Sequence, residues 1–169
     1  MSNNSFQVAR LVNDHERSAF NSGSVPLDNY FKQQVSQDVR RRVTACFVAL
    51  TEDQQISGYY ILASASVLLS DLPLVLSKRL PRYPTVPAIR MGRLAVDNKF
   101  KGIGLGGALL TDALTRSIRS EIAAYALLVD AKDEPAAAFY KHHGFLELPS
   151  QPLKLFIPLA TVTGIAPLR

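Results

Sequence analysis

The residues best placed to do chemistry are Lys101-Gly102-Ile103-Gly104-Leu105-Gly106 and the adjoining Gly107, between an apolar stretch and a helical pattern. Glycine tolerates positive φ, so backbone N–H groups in such a loop can face outward with no Cβ in the way. Where the loop opens a helix, those N–H groups lack intrahelical partners and the macrodipole favours negative charge. A phosphate or diphosphate is the expected ligand. Gly102, Gly104 and Gly106 form G-x-G-x-G. Gly102, Gly104 and Gly107 also read as G-x-G-x-x-G, the dinucleotide fingerprint, and Asp130 at the end of the next strand would be its acidic partner. No Lys-Ser or Lys-Thr pair follows the glycines, which argues against a Walker loop. A tight turn without a ligand is the remaining reading.

Other candidates are fewer. His142 and His143 could serve as bases, but beside Gly144 at a helix C-terminus they read as caps or dipole partners. Asp133 precedes Glu134-Pro135 and suits an N-cap. The lone Cys46 lies in an apolar run and reads as a buried strand residue rather than a nucleophile. No metal site is expected.

The elements that must position these residues follow from hydrophobic periodicity. A first strand is expected over residues 6–11 and a capped helical turn over 14–18. A break at 20–23 follows, then a helix entered at Pro26-Leu27-Asp28 with Leu27, Tyr30, Phe31 and Val35 at helical spacing, ending near Arg40-Arg41-Arg42. Residues 43–50 and 56–64 read as a hairpin around the polar turn 51–55. Residues 67–87 hold several prolines, so a loop with one short helical turn near 74–78 is expected. A buried strand over 90–96, a polar turn at 97–100, a helix from Leu105 to about Arg119, a strand over 123–130, a helix over 134–142 and closing strands near 145–148 and 153–159 complete the chain. The order is α/β, and a single domain over residues 1–169 is expected.

The chain has 169 residues, 47% of them hydrophobic, and a formal net charge of +5. No apolar run reaches the roughly 18 residues of a membrane span, and the polar start lacks the order of a signal peptide, so a cytoplasmic protein is expected. The basic residues cluster: Arg40, Arg41 and Arg42; Lys78, Arg79 and Arg82; Arg90 and Arg93; Lys99 and Lys101. Beyond what one phosphate ligand needs, this surplus favours a large polyanionic substrate.

Two of these motifs resemble those of the GNAT superfamily of N-acetyltransferases. Lys101-x-x-Gly104-x-Gly106 is similar to its Arg/Gln-x-x-Gly-x-Gly/Ala loop, with Lys where Arg or Gln is usual. Asp133-x-x-Ala136-x-x-Phe139-Tyr140-x-x-x-Gly144-Phe145 is similar to its Asn-x-x-Ala-x-x-Phe-Tyr-x-x-x-Gly-Phe signature, with Asp in place of Asn. The resemblance implies the GNAT fold, a mixed sheet of about six to seven strands flanked by about four helices. It also implies acetyl-CoA as co-substrate. Backbone N–H groups of Leu94 and Val96, with Ala95 between them, are then expected to hold the acetyl carbonyl and pantetheine. Lys101, Gly102, Ile103, Gly104, Leu105, Gly106 and Gly107 would hold the diphosphate. Asp133, Ala136, Phe139 and Tyr140 would complete the cofactor site, with Tyr140 as general acid at the CoA sulfur.

A narrower resemblance joins Phe20-x-x-Gly23, Leu27-Asp28-x-Tyr30, Gly58-Tyr59-Tyr60, Leu80-Pro81-x-Tyr83-Pro84-x-Val86-Pro87, Gly92-Arg93-Leu94-Ala95-Val96-Asp97 and Val129-Asp130-Ala131-Lys132-Asp133. Together these are similar to the GNAT toxins of type II toxin–antitoxin modules. This likeness implies acetylation of the α-amino group of aminoacyl-tRNA, which blocks translation. It also implies a ribbon-helix-helix antitoxin that binds the operator with the toxin, and a homodimer. Arg40, Arg41, Arg42, Lys78, Arg79, Arg82, Arg90 and Arg93 would meet the tRNA. An aminoacyl ester amine is more acidic than a lysine side chain, so a strong general base is dispensable. A housekeeping enzyme acetylating a small amine or a protein N-terminus, and a CoA-sensing or antitoxin-binding module without turnover, are the alternatives.

Overall fold

The computed structural model describes residues 5–162. They fall into two compact units: residues up to 63 with 92–113, and residues 64–91 with those from 114 onward. The first four residues and residues 163–169 of the expected single domain lie outside the described part.

The first unit holds β1 (Gln7–Arg10), β2 (Ala45–Leu50) and the start of β3 (Ile56–Leu68). β1 runs antiparallel to β2, from Gln7↔Leu50 to Arg10↔Phe47. β2 runs antiparallel to β3 from Ala45↔Leu62 to Leu50↔Ile56, with a bulge between Ala49 and Leu50. Between β1 and β2 lies one helical run: α1 (Val25–Asn29), a π turn (Tyr30–Gln34) and α2 (Val35–Arg40). Ser24 caps it and Pro26 occupies the first turn, where its missing N–H costs nothing. At the π turn the Val35 N–H reaches back five residues to Tyr30 O. Phe31 and Val35 are both fully buried, in a core with Phe20, Val48, Tyr59 and Ala95.

The second unit holds α3 (Leu74–Ser77), the first part of β4 (Thr85–Val96), β5 (Ala126–Asp130), α5 (Glu134–His142), β6 (Leu146–Leu148) and β7 (Gln151–Pro158). α4 (Leu105–Ile118) begins in the first unit and ends in the second. β4 and β5 are parallel from Ala88↔Ala126 to Met91↔Val129, and the ladder ends there while β4 runs on to Val96. β7 runs antiparallel to both β5 and β6. The strand order is β1-β2-β3-β4-β5-β7-β6. Counting the α1-π-α2 run once, the described residues form seven strands and four helices, as the expected fold requires.

Four expectations are corrected. Residues 14–18 form no helical turn: His15 Nδ1 accepts from Val12 N, and Glu16 accepts from the backbone and hydroxyl of Ser18. Such local side-chain bonds compete with helix. β3 continues to Leu68 and β4 starts at Thr85, five residues before the expected Arg90. Pro87 precedes Ala88, the first paired residue of the β4–β5 ladder, so its missing N–H costs that ladder no donor, while its carbonyl still accepts from Tyr125 N. β5 starts at Ala126, not 123.

Candidate active site

In the first unit, the end of β4 leads through Asp97 into a 3-10 turn (Asn98–Phe100), the glycine loop and α4. Leu94 and Val96 are half-buried and Ala95 is buried. Gly102 and Gly104 have φ +80° and +85°, and a Cβ built on either would meet nothing within 4 Å among the described residues. The glycines are thus required by backbone conformation, and the space in front of them is open. That is the cradle a diphosphate needs, and the residues fit one. Gly104 O accepts from Ala108 N at 3.1 Å, closing the first turn of α4.

The first turn of α4 is seated by Gly58 on β3. A Cβ there would lie 2.8 Å from Leu109 Cδ1 and 3.0 Å from Ala95 O, so only glycine lets α4 approach this closely. Next to it, the Tyr60 hydroxyl donates to Asp112 on α4. Gly58 and Asp97 carry roles that the residue pattern alone does not assign. Asp97 is 2% exposed, and its carboxylate accepts from Asn21 N at 3.0 Å and Lys99 N at 2.9 Å. The Asp-Asn-Lys order at the strand end is the local signal for such a cap. Lys101 Nζ donates to Ser22 O at 2.6 Å. Arg93 lies over the Tyr30 ring, 3.9 Å from its centroid, and Tyr30 in turn donates to Asp38 at 2.8 Å.

In the second unit, Asp133 caps α5, its Oδ1 accepting from Ala136 N at 2.9 Å. At the other end Phe145 N donates to Tyr140 O at 3.1 Å and Gly144 N to Lys141 O at 3.0 Å, with Gly144 at φ +94°. These two bonds are a Schellman end, and the apolar contact that accompanies it is the Tyr140 ring against Phe145, centroids 5.5 Å apart. The Tyr-x-x-x-Gly-Phe spacing therefore fixes Tyr140 in place. His143 Nδ1 is 2.9 Å from Phe139 O, a helix-end role as expected. Phe139 packs edge-on against Tyr140 and is tilted against His143.

Tyr140 differs from the other buried tyrosines. Tyr59 donates its hydroxyl to Leu27 O and Tyr60 to Asp112. Tyr140 is 6% exposed, yet among the described residues its hydroxyl has no hydrogen-bond partner, and no buried polar side-chain atom is left unsatisfied. Its ring is enclosed while its oxygen still reaches solvent. Burial, then the Asp130 carboxylate, push the phenol pKa up to about 12. It stays protonated at neutral pH and can act as a donor.

Asp130 is committed elsewhere: Arg90 Nε donates to it at 2.8 Å, and Lys154 lies 3.9 Å away. That leaves no free acidic partner for a dinucleotide ribose and engages the Arg90 guanidinium as well. Arg40, Arg41 and Arg42 are exposed at the end of α2, and Lys78, Arg79 and Arg82 are exposed around and after the end of α3. Cys46 is buried and its thiol is pushed up to about 12, chiefly by desolvation, so it is no nucleophile. Among the described residues no three His, Cys, Asp or Glu side chains gather to hold a metal ion, and no helix is long and apolar enough to cross a membrane.

Residues 42–147 match the family described as acetyltransferase (GNAT) domain. The chain is similar to a probable toxin TacT of Sinorhizobium fredii (strain NBRC 101917 / NGR234), 33% identical over 164 residues that cover 90% of each protein. It is similar to a tRNA-acetylating toxin of Mycobacterium tuberculosis (strain ATCC 25618 / H37Rv), 36% identical over 155 residues covering 90% of this chain and 92% of that protein. Among solved structures it resembles AtaT complexed with acetyl-methionyl-tRNAfMet, with a TM-score of 0.85 and 25% identity over 93% of this chain and 96% of that one.

Proposed function

This chain belongs to the acetyltransferase (GNAT) family, and we propose, from its likeness to two toxins, that it is a toxin acetylating the α-amino group of aminoacyl-tRNA. The tRNA substrate rests on its likeness to the tRNA-acetylating toxin of Mycobacterium tuberculosis. One observation carries the catalytic reading: an enclosed tyrosine, Tyr140, whose hydroxyl has no hydrogen-bond partner among the described residues and stays protonated at neutral pH.

Acetyl-CoA supplies the acetyl group as an activated thioester. The glycine loop, residues 101–107, holds the diphosphate through backbone N–H groups at the start of α4. Leu94 and Val96 N–H groups hold pantetheine and polarise the acetyl carbonyl, stabilising the negative charge that develops on its oxygen. The neutral α-amine attacks the carbonyl carbon, forming the C–N bond as the C–S bond breaks. Tyr140 donates its proton to the departing sulfur, and the proton lost by the amine restores the phenol or leaves to solvent. Asp133 shapes the start of α5, Ala136 and Phe139 line the site, and Phe139 supports the Tyr140 ring.

Exposed Arg40, Arg41 and Arg42 meet tRNA phosphates, as do Lys78, Arg79 and Arg82. Arg93, stacked on Tyr30 with no ion pair among the described residues, has donors left for the acceptor end, while Arg90 is held by Asp130. We read the chain as one domain, a reading supported by the family match over residues 42–147. The partner that neutralises the toxin is a ribbon-helix-helix antitoxin that carries it to operator DNA, the toxin is a homodimer, and its charged-tRNA substrate places it in the cytoplasm. The test is cell-free translation: the protein with acetyl-CoA arrests synthesis and Tyr140→Phe does not. Arrest by a folded Tyr140→Phe variant at the wild-type rate would remove Tyr140 as the acid.

A further inference from the structure

Around the glycine loop, one segment far away in sequence is tied to it at several points. Asn21 N donates to Asp97, Asn98 N donates to Asn21 O at 2.8 Å, and Lys101 Nζ donates to Ser22 O. Ser22 is itself held from the other side, its N–H and hydroxyl donating to Asp28 Oδ1 at 3.1 and 2.6 Å at the start of α1. Gly23 N donates to Asn21 Oδ1 at 2.9 Å, and Gly23 sits at φ +85°, where a Cβ would come 3.2 Å from Asn98 Oδ1. Asp97 N is anchored in turn on Ser57 O of β3 at 2.8 Å. Asn21-Ser22-Gly23 is therefore a strut, fixed to α1 on one side and gripping both ends of residues 97–101 on the other.

Resting on the cofactor reading, we propose that Lys101 and Asp97 are positioning residues that brace the glycine loop against this strut, the Lys101 ammonium supporting the loop instead of meeting the ligand. The position where a guanidinium or amide is usual carries a lysine here. Its charge is spent on a backbone carbonyl, a strong charge-assisted bond. Two glycines at positive φ hold the loop in a form that needs external support, because glycine is the residue most free to leave it. The strut provides that support, and it makes the seat of α1 and the cofactor loop one mechanical unit.

The test is a double-mutant cycle on the full chain, with acetyl-CoA binding measured by calorimetry and steady-state kinetics on charged tRNA. Lys101→Met removes the brace at the loop, and Gly23→Ala disturbs the strut without removing any charge. Asn21→Ala, which removes the acceptor of the Gly23 N–H, takes its place if Gly23→Ala does not fold. Each single variant is expected to weaken acetyl-CoA binding about tenfold, the upper end for one ordinary hydrogen bond. The double variant is expected to be about as weak as the weaker single, because both break one support. KM for acetyl-CoA rises, while kcat and KM for charged tRNA hold, and Lys101→Arg restores binding. Losses that multiply to about a hundredfold in the double variant would overturn the proposal, since independent contacts add in free energy. So would wild-type binding by Lys101→Met. A wild-type protein that binds no acetyl-CoA would instead overturn the cofactor reading on which the proposal stands.

Discussion

Arg42 offers a substitution that should raise stability and lower activity together. It sits at φ +61° just past α2, where Arg42 N donates to Val39 O and Val43 N to Asp38 O, both at 3.0 Å. This is a Schellman end with arginine where glycine is the usual residue. The left-handed region costs an L-residue about 1–2 kcal/mol. Glycine avoids that cost but gives back about 0.5–1 kcal/mol through its freer unfolded chain. Arg42→Gly should therefore stabilise the fold by about 0.5–1 kcal/mol, since its side chain is exposed and makes no hydrogen bond or ion pair among the described residues. For a chain of this size the melting temperature should rise by about 1–4 °C. If Arg42 meets a tRNA phosphate, the same change should raise KM for charged tRNA. It should also flatten the dependence of log KM on log salt by about one unit. Thermal melting, and kinetics over a series of salt concentrations, read both effects. A lower melting temperature would refute the strain argument, and an unchanged KM and salt slope would remove Arg42 from the tRNA surface.

Gly58→Ala forces a Cβ to 2.8 Å from Leu109 Cδ1 and 3.0 Å from Ala95 O; overpacking of this kind costs about 1–3 kcal/mol. A melting temperature several degrees lower and weaker acetyl-CoA binding are expected, and unchanged binding would detach α4 from the cofactor site. Because burial raises the Tyr140 pKa to about 12, the protonated phenol is the form the fold favours. Its stabilising contribution is complete below the unfolded value near 10 and is lost as pH rises through about 12. With a base-stable, amide-linked aminoacyl-tRNA analogue, kcat should show no alkaline decline below about pH 10, and Tyr140→Phe should lower kcat by about a hundredfold or more. A decline near pH 8 would point to another acid. Cys46, its thiol pushed up to about 12 by burial, should resist alkylation at pH 8 in the native protein and react after unfolding. Rapid native alkylation would show that β2 opens.

Much of the site could be read from the chain because its motifs are local. The glycine loop, the Asp133 cap and the Gly144-Phe145 helix end each depend on residues a few positions apart, and each forms as its spacing implied. What escaped depends on distant partners. Asp97 is legible as a cap for Lys99 N, but its bond to Asn21 crosses 76 positions. Gly58 reads as an ordinary strand residue until Leu109 is packed on it. Pro84 and Pro87 hide the early start of β4, although buried Val86 and Ala88 alternate with exposed Thr85 and Pro87 at the period of a strand. The π turn at Tyr30–Gln34 leaves Leu27, Tyr30, Phe31 and Val35 looking like an ordinary helical face, because one inserted residue shifts the phase without changing the composition.

The most direct test of the central claim is incubation of the purified protein with radiolabelled acetyl-CoA and a total pool of charged tRNA, beside the same pool deacylated. Label on the charged pool alone, released by mild base as an acetylated amino acid, is the result expected, and it also names the amino acid. Label on neither pool, from a protein that binds acetyl-CoA, would contradict the claim and assign the acetyl group to a small amine or a protein.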